Sequence, residues 1–387
     1  MITACYSSIN DILAADWDRC VPPEHPLLRH AYFRALEQSG IACPSTGFSP
    51  SHIVLLERGG RIAAIAPAFL KQHSNGELGV DLGLAMAHRR MSGSYYPKLQ
   101  VEIPMTPFAG GRLLVRPDVS REEAVPALIY ALKQRAMEVG ASSVQIAAMA
   151  DACLLPHLED ADFTITESNT YVWRAGLDRS FEEFLARMDS ASRSEIRRER
   201  KRAQAEGLEL RRFNGGEISA EFPEKFYSLY AENFIRHHGA PWLNTGYFRE
   251  LFFSMNERLA LDVALRGEEW VAAVLTAHDG AAGQVLYWGQ SGRAKYLHFE
   301  MVMYRSIEHA FATAVSRLDF GSIGAHKAAR GLSCTPVSHA MWFRDPAFQS
   351  IARVACEGRK KVASRDRAVE LARLPFRNVS PESTVYP

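Results

Sequence analysis

Apolar residues along the chain follow two periods, one helical and one alternating, and the two trade places twice. Residues 25–39 carry Leu28, Phe33 and Leu36 at helical spacing, with Gly40 as the stop. The segments 51–56 and 61–70 are rich in Ile, Val and Ala and flank Arg58-Gly59-Gly60-Arg61, which predicts a hairpin. Residues 98–103 alternate and run into the turn-rich Pro104-Met105-Thr106-Pro107. A helix is expected over 120–139, stopped by Gly140. Short strands over 143–148 and 163–166 surround a helix near 150–158. A similar order follows: a strand at 208–213, helices at 222–238 and 247–255, and strands at 259–265, 270–278 and 284–289. A helix over 297–316 and a strand over 317–320 close this second half. From 346 to 372 the pattern is again that of a helix, basic in composition, followed by an irregular, Pro-containing end. The halves share element order and little sequence.

Length agrees with this duplication, since 387 residues suit two domains of roughly 150–200 residues each better than one core. The formal net charge is +1, so any attraction to nucleic acid or anionic membranes must be local. No apolar run reaches the roughly 18 residues of a membrane helix. The start of the chain lacks the basic and apolar segments of a secretory signal, so a cytoplasmic location is expected. Six cysteines lie far apart without a C-x-x-C pair, which argues against zinc and against a disulfide framework. Cys153, beside Leu154 and Leu155, reads as a small core residue.

Four places carry candidate chemistry, each with two open readings. The run 193–202 holds six positive and two negative charges, with Arg193, Arg197 and Lys201 spaced four apart. Ser192 and Glu195 have the form of a capping box at its start. The run is a solvated helix face, or a cationic ridge (Arg193, Arg197, Arg198, Lys201) for a phosphate-bearing partner. Because two carboxylates within the run cannot neutralise six cations, the excess favours a partner. Tyr95-Tyr96-Pro97-Lys98 is a packed start of a strand or a binding element; Pro97 restricts Tyr96 to extended backbone. His298 and Glu300 are a helix start favoured by the dipole, or a base and positioner for an amine nucleophile. Lys327 and Arg330, after Gly321-Ser322-Ile323-Gly324, are a surface loop or an anion cradle. No third ligand has the spacing to complete a metal site with His298 and Glu300. There is no Gly-x-Ser-x-Gly elbow, P-loop or dinucleotide fingerprint.

His25-Pro26-Leu27-Leu28, Tyr95-Tyr96-Pro97-Lys98-Leu99, the run 193–202, Tyr287-Trp288-Gly289, Tyr296-Leu297-His298-Phe299-Glu300 and the segment 326–331 together resemble the FemAB-like acyltransferases, in the branch described as peptidoglycan biosynthesis/recognition. The resemblance covers about residues 17–375. It implies an α/β (α+β) protein of two tandem GNAT-like domains, each a mixed, mostly antiparallel sheet flanked by helices. Residues 1–175 would form the acceptor side. Residues 176–345, with a basic helix at 192–206, would form the donor side. Residues 346–387 would be a basic helix and tail.

The implied activity is amide formation by transfer of an aminoacyl or acyl group to an amine. His298 and Glu300 would be catalytic. Arg193, Arg197, Arg198, Lys201, Lys327 and Arg330 would hold the donor or its phosphates. Tyr95, Tyr96, Lys98, Tyr287, Trp288 and Tyr304 would face the acceptor. Backbone N–H groups of a splayed strand at 284–289 would polarise the donor carbonyl. No cofactor is bound; an aminoacyl-tRNA, ahead of an acyl-CoA, is the expected co-substrate. The acceptor would be a cell-wall precursor, an amino sugar or a small metabolite. The sequence departs from the family in two places: Leu99-Gln100 follows Lys98 where Gly-Pro is usual, and His326-Lys327 replaces Phe-Lys. The acyl-CoA pyrophosphate loop, Arg/Gln-x-x-Gly-x-Gly/Ala, is absent from both halves. The alternatives are a non-catalytic ligand-binding module and a nucleic-acid binder built on the basic run.

Overall fold

The computed structural model describes residues 1–75, 81–91, 93–292, 296–322 and 324–376. The chain divides into two compact units: Met1–Asn169 with Pro336–Arg365, and Thr170–Thr335 with the chain from Asp366 onward. The expected boundary at 345 therefore moves. Residues 336–365 return to the first unit rather than closing the second or forming a separate tail.

In the first unit, an antiparallel four-stranded sheet runs in the order Ile2–Tyr6, His52–Leu56, Ile62–Ala66, Leu114–Val115. A second ladder joins Phe48–Pro50, Ala68–Lys71, Lys98–Val101 and Ser143–Met149, then residues 338–343 of the strand Ser333–Phe343. Helix Arg121–Glu138 packs on the strands through Val125, Leu128, Ile129, Leu132 and Ala136, repeating every three or four residues. Each of the Val, Leu and Ile side chains, fully buried, stabilises the fold by about 1.5–3 kcal/mol. The expected hairpin strand 61–70 is broken into two strands at Pro67, which has no N–H for a ladder. Residues 25–39 form one 3-10 turn, Pro26–Leu28, before helix His30–Gln38. Cys153 is exposed, not a core residue; Leu154 takes the buried position beside it.

His339, in this unit, accepts from the Ala148 N–H at Nδ1 (3.2 Å) and meets Ser168 Oγ at Nε2 (2.8 Å). Burial, followed by Arg359 and Arg112, pushes it down to about 3. A group that stays neutral in the fold but protonates near 6.5 when unfolded contributes stability above that value, lost as pH falls toward 3. Stability measured by urea unfolding is expected to decline below about pH 6.5, and His339→Gln is expected to flatten that decline. An equal slope in the variant would remove His339 as its source.

In the second unit, Glu209–Asn214, Leu259–Arg266, Glu269–Asp279 and Ala282–Gln290 form a consecutive antiparallel ladder. Arg317–Asp319 then pairs parallel to residues 282–284 and antiparallel to residues 172–174. Helix Phe222–His238 lies against Ala282–Gln290 so closely that a Cβ on Gly289 would stand 2.5 Å from the Tyr230 backbone N. Gly289→Ala is therefore expected to cost about 1–3 kcal/mol, read by denaturant unfolding. The helix expected over 297–316 is a π-helical stretch, Phe299–Arg305, continued by the α-helix Ser306–Ala312. Helix Ser190–Gln204 is capped by Asp189, whose carboxylate accepts from the Ser192 N–H at 2.8 Å, not by Ser192. Among the described residues, no helix is long and apolar enough to cross a membrane.

Candidate functional site

The strand Ala282–Gln290 has two features that open its far end. Its ladder with Arg317–Asp319 covers residues 282–284 only. Its register against Glu269–Asp279 shifts by one, from Val285↔Thr276 to Tyr287↔Leu275, leaving Leu286 as a bulge. Beyond Gln284 the two parallel strands therefore diverge, and the backbone is re-aimed where they part.

Around this opening stand Trp288, His298, His326 and Lys327. The His298 ring lies 5.4 Å from Trp288 and 6.4 Å from His326, and Phe299 is 5.2 Å from His326. Lys327 Nζ donates to the Phe320 carbonyl at 2.5 Å and reaches the Gly321 carbonyl at 3.4 Å. It is thus fixed at the end of the short parallel strand. Burial pushes Lys327 down to about 8, against the pull of Asp319. Burial, followed by interactions with His326, Lys327 and Arg330, pushes His298 down to about 4. At neutral pH the pair is an uncharged imidazole beside a mostly charged amine. The π-helical stretch that follows His298 is a departure often found at functional positions.

The other expected site residues are placed differently. Glu300 is buried with both oxygens on the Arg200 guanidinium, 3.0 Å each, and Arg200 also holds Glu308 at 2.7 and 2.9 Å. Its carboxylate faces the basic helix rather than an amine. Burial raises Glu300 while Arg200 opposes the shift. Arg330 and Tyr304 converge on buried Glu199; the Arg330 guanidinium lies 3.8 Å above Phe299 and donates to the His326 carbonyl at 2.9 Å. Tyr287 meets Tyr247 hydroxyl to hydroxyl at 3.0 Å among aromatic rings.

Part of the basic helix is paired by carboxylates from outside its own run. Arg197 binds Glu182 at 2.8 Å, Arg200 binds Glu300 and Glu308, and Arg198 pairs with Glu195. Arg193 donates to the Ala186 and Met188 carbonyls. Lys201 is exposed. The count within ten residues misses Glu182, Glu300 and Glu308, which take up Arg197 and Arg200, so the excess is smaller than the run alone suggests.

Tyr95, Tyr96 and Lys98 belong to the first unit and form one network. Lys98 Nζ is 2.5 Å from Asp81, the Tyr95 hydroxyl donates to the same carboxylate at 3.0 Å, and Tyr96 meets Ser74 at 2.8 Å. Burial would raise the Asp81 carboxyl, but Lys98 and the donors from Ser74 and Tyr95 hold it below its ordinary value. Tyr95 and Lys98 are fully buried, which is the packed reading of that motif. Asp81, Glu199 and Arg200 escaped the sequence reading as site residues, and His326 was read only as a departure from the family's pattern. Glu199 and Arg200 were visible only as members of a charge run, and Asp81 had no pattern around it. Among the described residues, no group of three His, Cys, Asp or Glu side chains is arranged to hold a metal.

Two mixed α/β units, the second with a splayed parallel pair beside a bulged strand, define a tandem GNAT-like protein. The chain belongs to the FemAB-like family, described as peptidoglycan biosynthesis/recognition, whose model matches residues 8–378. Among solved structures it is similar to FemX, at 13% identity and a TM-score of 0.55, over 91% of this chain and 100% of that one. It is also similar to the C-terminal domain of a putative lysylphosphatidylglycerol synthetase from Agrobacterium fabrum, at 12% identity and a TM-score of 0.52, over 89% and 96%. L-PGS from Bacillus licheniformis gives 10% identity and a TM-score of 0.51, over 86% and 92%. These likenesses are of fold. No curated protein matches the chain. Family and fold together suggest a transferase of acyl or aminoacyl groups in peptidoglycan biosynthesis.

Proposed function

We propose that this chain is an amide-forming aminoacyltransferase whose second unit receives the activated donor, an aminoacyl-tRNA. The observation that supports it most is the divergence of the parallel pair beyond Gln284, with Lys327 fixed at its mouth and neutral His298 beside it. A donor carbonyl laid into the opening would meet backbone N–H groups of the bulged strand and the Lys327 ammonium. The acceptor amine attacks that carbon: the N–C bond forms, the ester C–O bond breaks, and the proton shed by the amine goes to the leaving oxygen. Because His298 titrates near 4, it is a weak base. Its part is to accept a hydrogen bond and orient the amine, while proximity supplies most of the acceleration. Glu300 serves this reading as a positioning residue that ties the π-helical stretch to the basic helix through Arg200.

Trp288, on the bulged strand beside His298, is proposed to face the acceptor; Tyr287 points to the opposite face, where it packs with Tyr247. The missing pyrophosphate loop and the family favour tRNA over coenzyme A. The test is transfer followed by mass spectrometry. The protein is given an amine acceptor pool, once with charged tRNA and once with acyl-CoA, each with and without RNase. An adduct lost to RNase supports the proposal. An RNase-indifferent adduct from acyl-CoA replaces the donor. Absence of any adduct across cell-wall precursor, amino-sugar and metabolite acceptors favours a binding module instead.

A further inference from the structure

The second unit contains a cavity of about 460 Å³ at the other end of the same strands. Thr276 and His278 line it from the strand Glu269–Asp279, opposite Val285 and Gly283 at the beginning of the splayed strand. Leu318, which pairs with Gly283, forms part of its floor. Trp288 lies at the far end of that strand, so the cavity is separate from the transfer cleft.

Three observations mark it as built for a ligand. First, Arg212, Arg305 and His309 all approach one carboxylate, that of fully buried Asp262, at 2.7, 3.6 and 3.3 Å. Two guanidiniums and an imidazole share a single negative charge. Second, the field at His278 is positive: after burial, Arg212 and Arg258 push its pKa down, and Asp279 only partly offsets them. Third, Thr276 is 4% exposed and its Oγ1 has no hydrogen-bond partner in the protein. A buried hydroxyl left so is destabilising, and a ligand oxygen would satisfy it. Glu257 is the acidic lining residue, and it is exposed at the rim. Asp262 is one carboxylate for the two guanidiniums of Arg212 and Arg305, and Arg212, His278 and His309 give the lining donors for an oxyanion.

We propose that this cavity is a second ligand site, taking a small metabolite that bears a carboxylate or a phosphate. The oxyanion is held by Arg212, His278 and His309, and an oxygen of the ligand meets the Thr276 hydroxyl.

The test is isothermal titration calorimetry on the full chain at constant ionic strength, with inorganic phosphate in one arm and succinate in the other. Saturable binding is expected in at least one arm; the arm that binds assigns the oxyanion. Affinity should fall about tenfold or more in His309→Gln and His278→Gln, since a charge-assisted bond contributes roughly 1.5–3 kcal/mol. It should fall several-fold in Thr276→Val, which keeps the shape of the wall, and stay unchanged in Lys327→Met. Matching melting temperatures show that the Thr276 variant folds. No saturation in either arm overturns the proposal. So does saturation untouched by all three cavity variants, or binding lost in Lys327→Met, which would put the anion in the transfer cleft. None of these readouts requires transfer activity, so the proposal can fail without the aminoacyltransferase reading failing, and the reverse.

Discussion

Lys327→Met is expected to lower the transfer rate about 10²–10³-fold, the range for removing one preorganised donor from a developing oxyanion. Lys327 is a group at the opening whose position is fixed, with its ammonium on the Phe320 and Gly321 carbonyls. Methionine matches the stem length and carries no charge. Its cost in stability is the loss of donors to two carbonyls, about 1–3 kcal/mol, so the variant should fold. A second arm uses pH. With Lys327 titrating at about 8, the charged form prevails below that value. A cationic stabiliser therefore gives a rate that falls above about pH 8. Lys327→Arg, charged throughout, should lose that falling limb while retaining part of the rate. A wild-type rate that climbs through pH 8 and stays flat in Lys327→Arg would make the amine a base and reject the assigned role. An unchanged rate in Lys327→Met would remove the opening as the reaction centre.

The second large effect is structural. Glu199→Ala should destabilise the second unit by about 3–5 kcal/mol, the cost of stripping a buried charge of its partner. Glu199 is 2% exposed, and both Arg330 and the Tyr304 hydroxyl are directed at its carboxylate. Without it, Arg330 keeps the His326 carbonyl and the face of Phe299 but has no counter-charge in that cluster. The measurement is urea unfolding of Glu199→Ala, Arg330→Met and the double variant. The double variant should lose markedly less than the sum of the singles, because the second change removes the charge that the first one stranded. Additive losses would show that the pair is not coupled, and Arg330 would again be available to a phosphate. Since Arg330 touches the His326 backbone, the single variants should also perturb transfer.

The run 193–202 shows where sequence reasoning stops. Its helix was legible from composition and spacing. Its charge balance was not, because Glu182, Glu300 and Glu308 come from segments 11 to over 100 residues away that only the fold brings near. Tyr95 and Lys98 show the same limit from the other side. A Tyr-Tyr-Pro-Lys string has the chemistry of a binding element, yet Asp81 draws both polar ends inward. The motif cannot reveal this, since Asp81 lies 14 residues from Tyr95 in unpatterned sequence. The strand Ser333–Phe343 was missed because it changes units: residues 333–335 belong to the second and 336–343 to the first. Its burial does not alternate cleanly, with Ala340, Met341 and Phe343 all buried near its end, so no period of two marks it.

By itself the sequence missed the strands Ile2–Tyr6 and Ser333–Phe343 and the helix Leu82–Met91; it determined the run of strands and helices from 208 to 290, the long final helix Pro346–Ala372, and the family. These depend on periodicity and on short strings, which are properties of neighbours in the chain. Tertiary structure alone decided which cations are occupied, which carboxylates are buried, and where the sheet opens. Those outcomes depend on distances between segments and on exclusion of water, and neither is encoded locally. His298 and Lys327 were named from sequence for their chemistry. Their protonation states came only from the fold, which buries Lys327, half-buries His298 and sets the cations Lys327 and Arg330 near that imidazole.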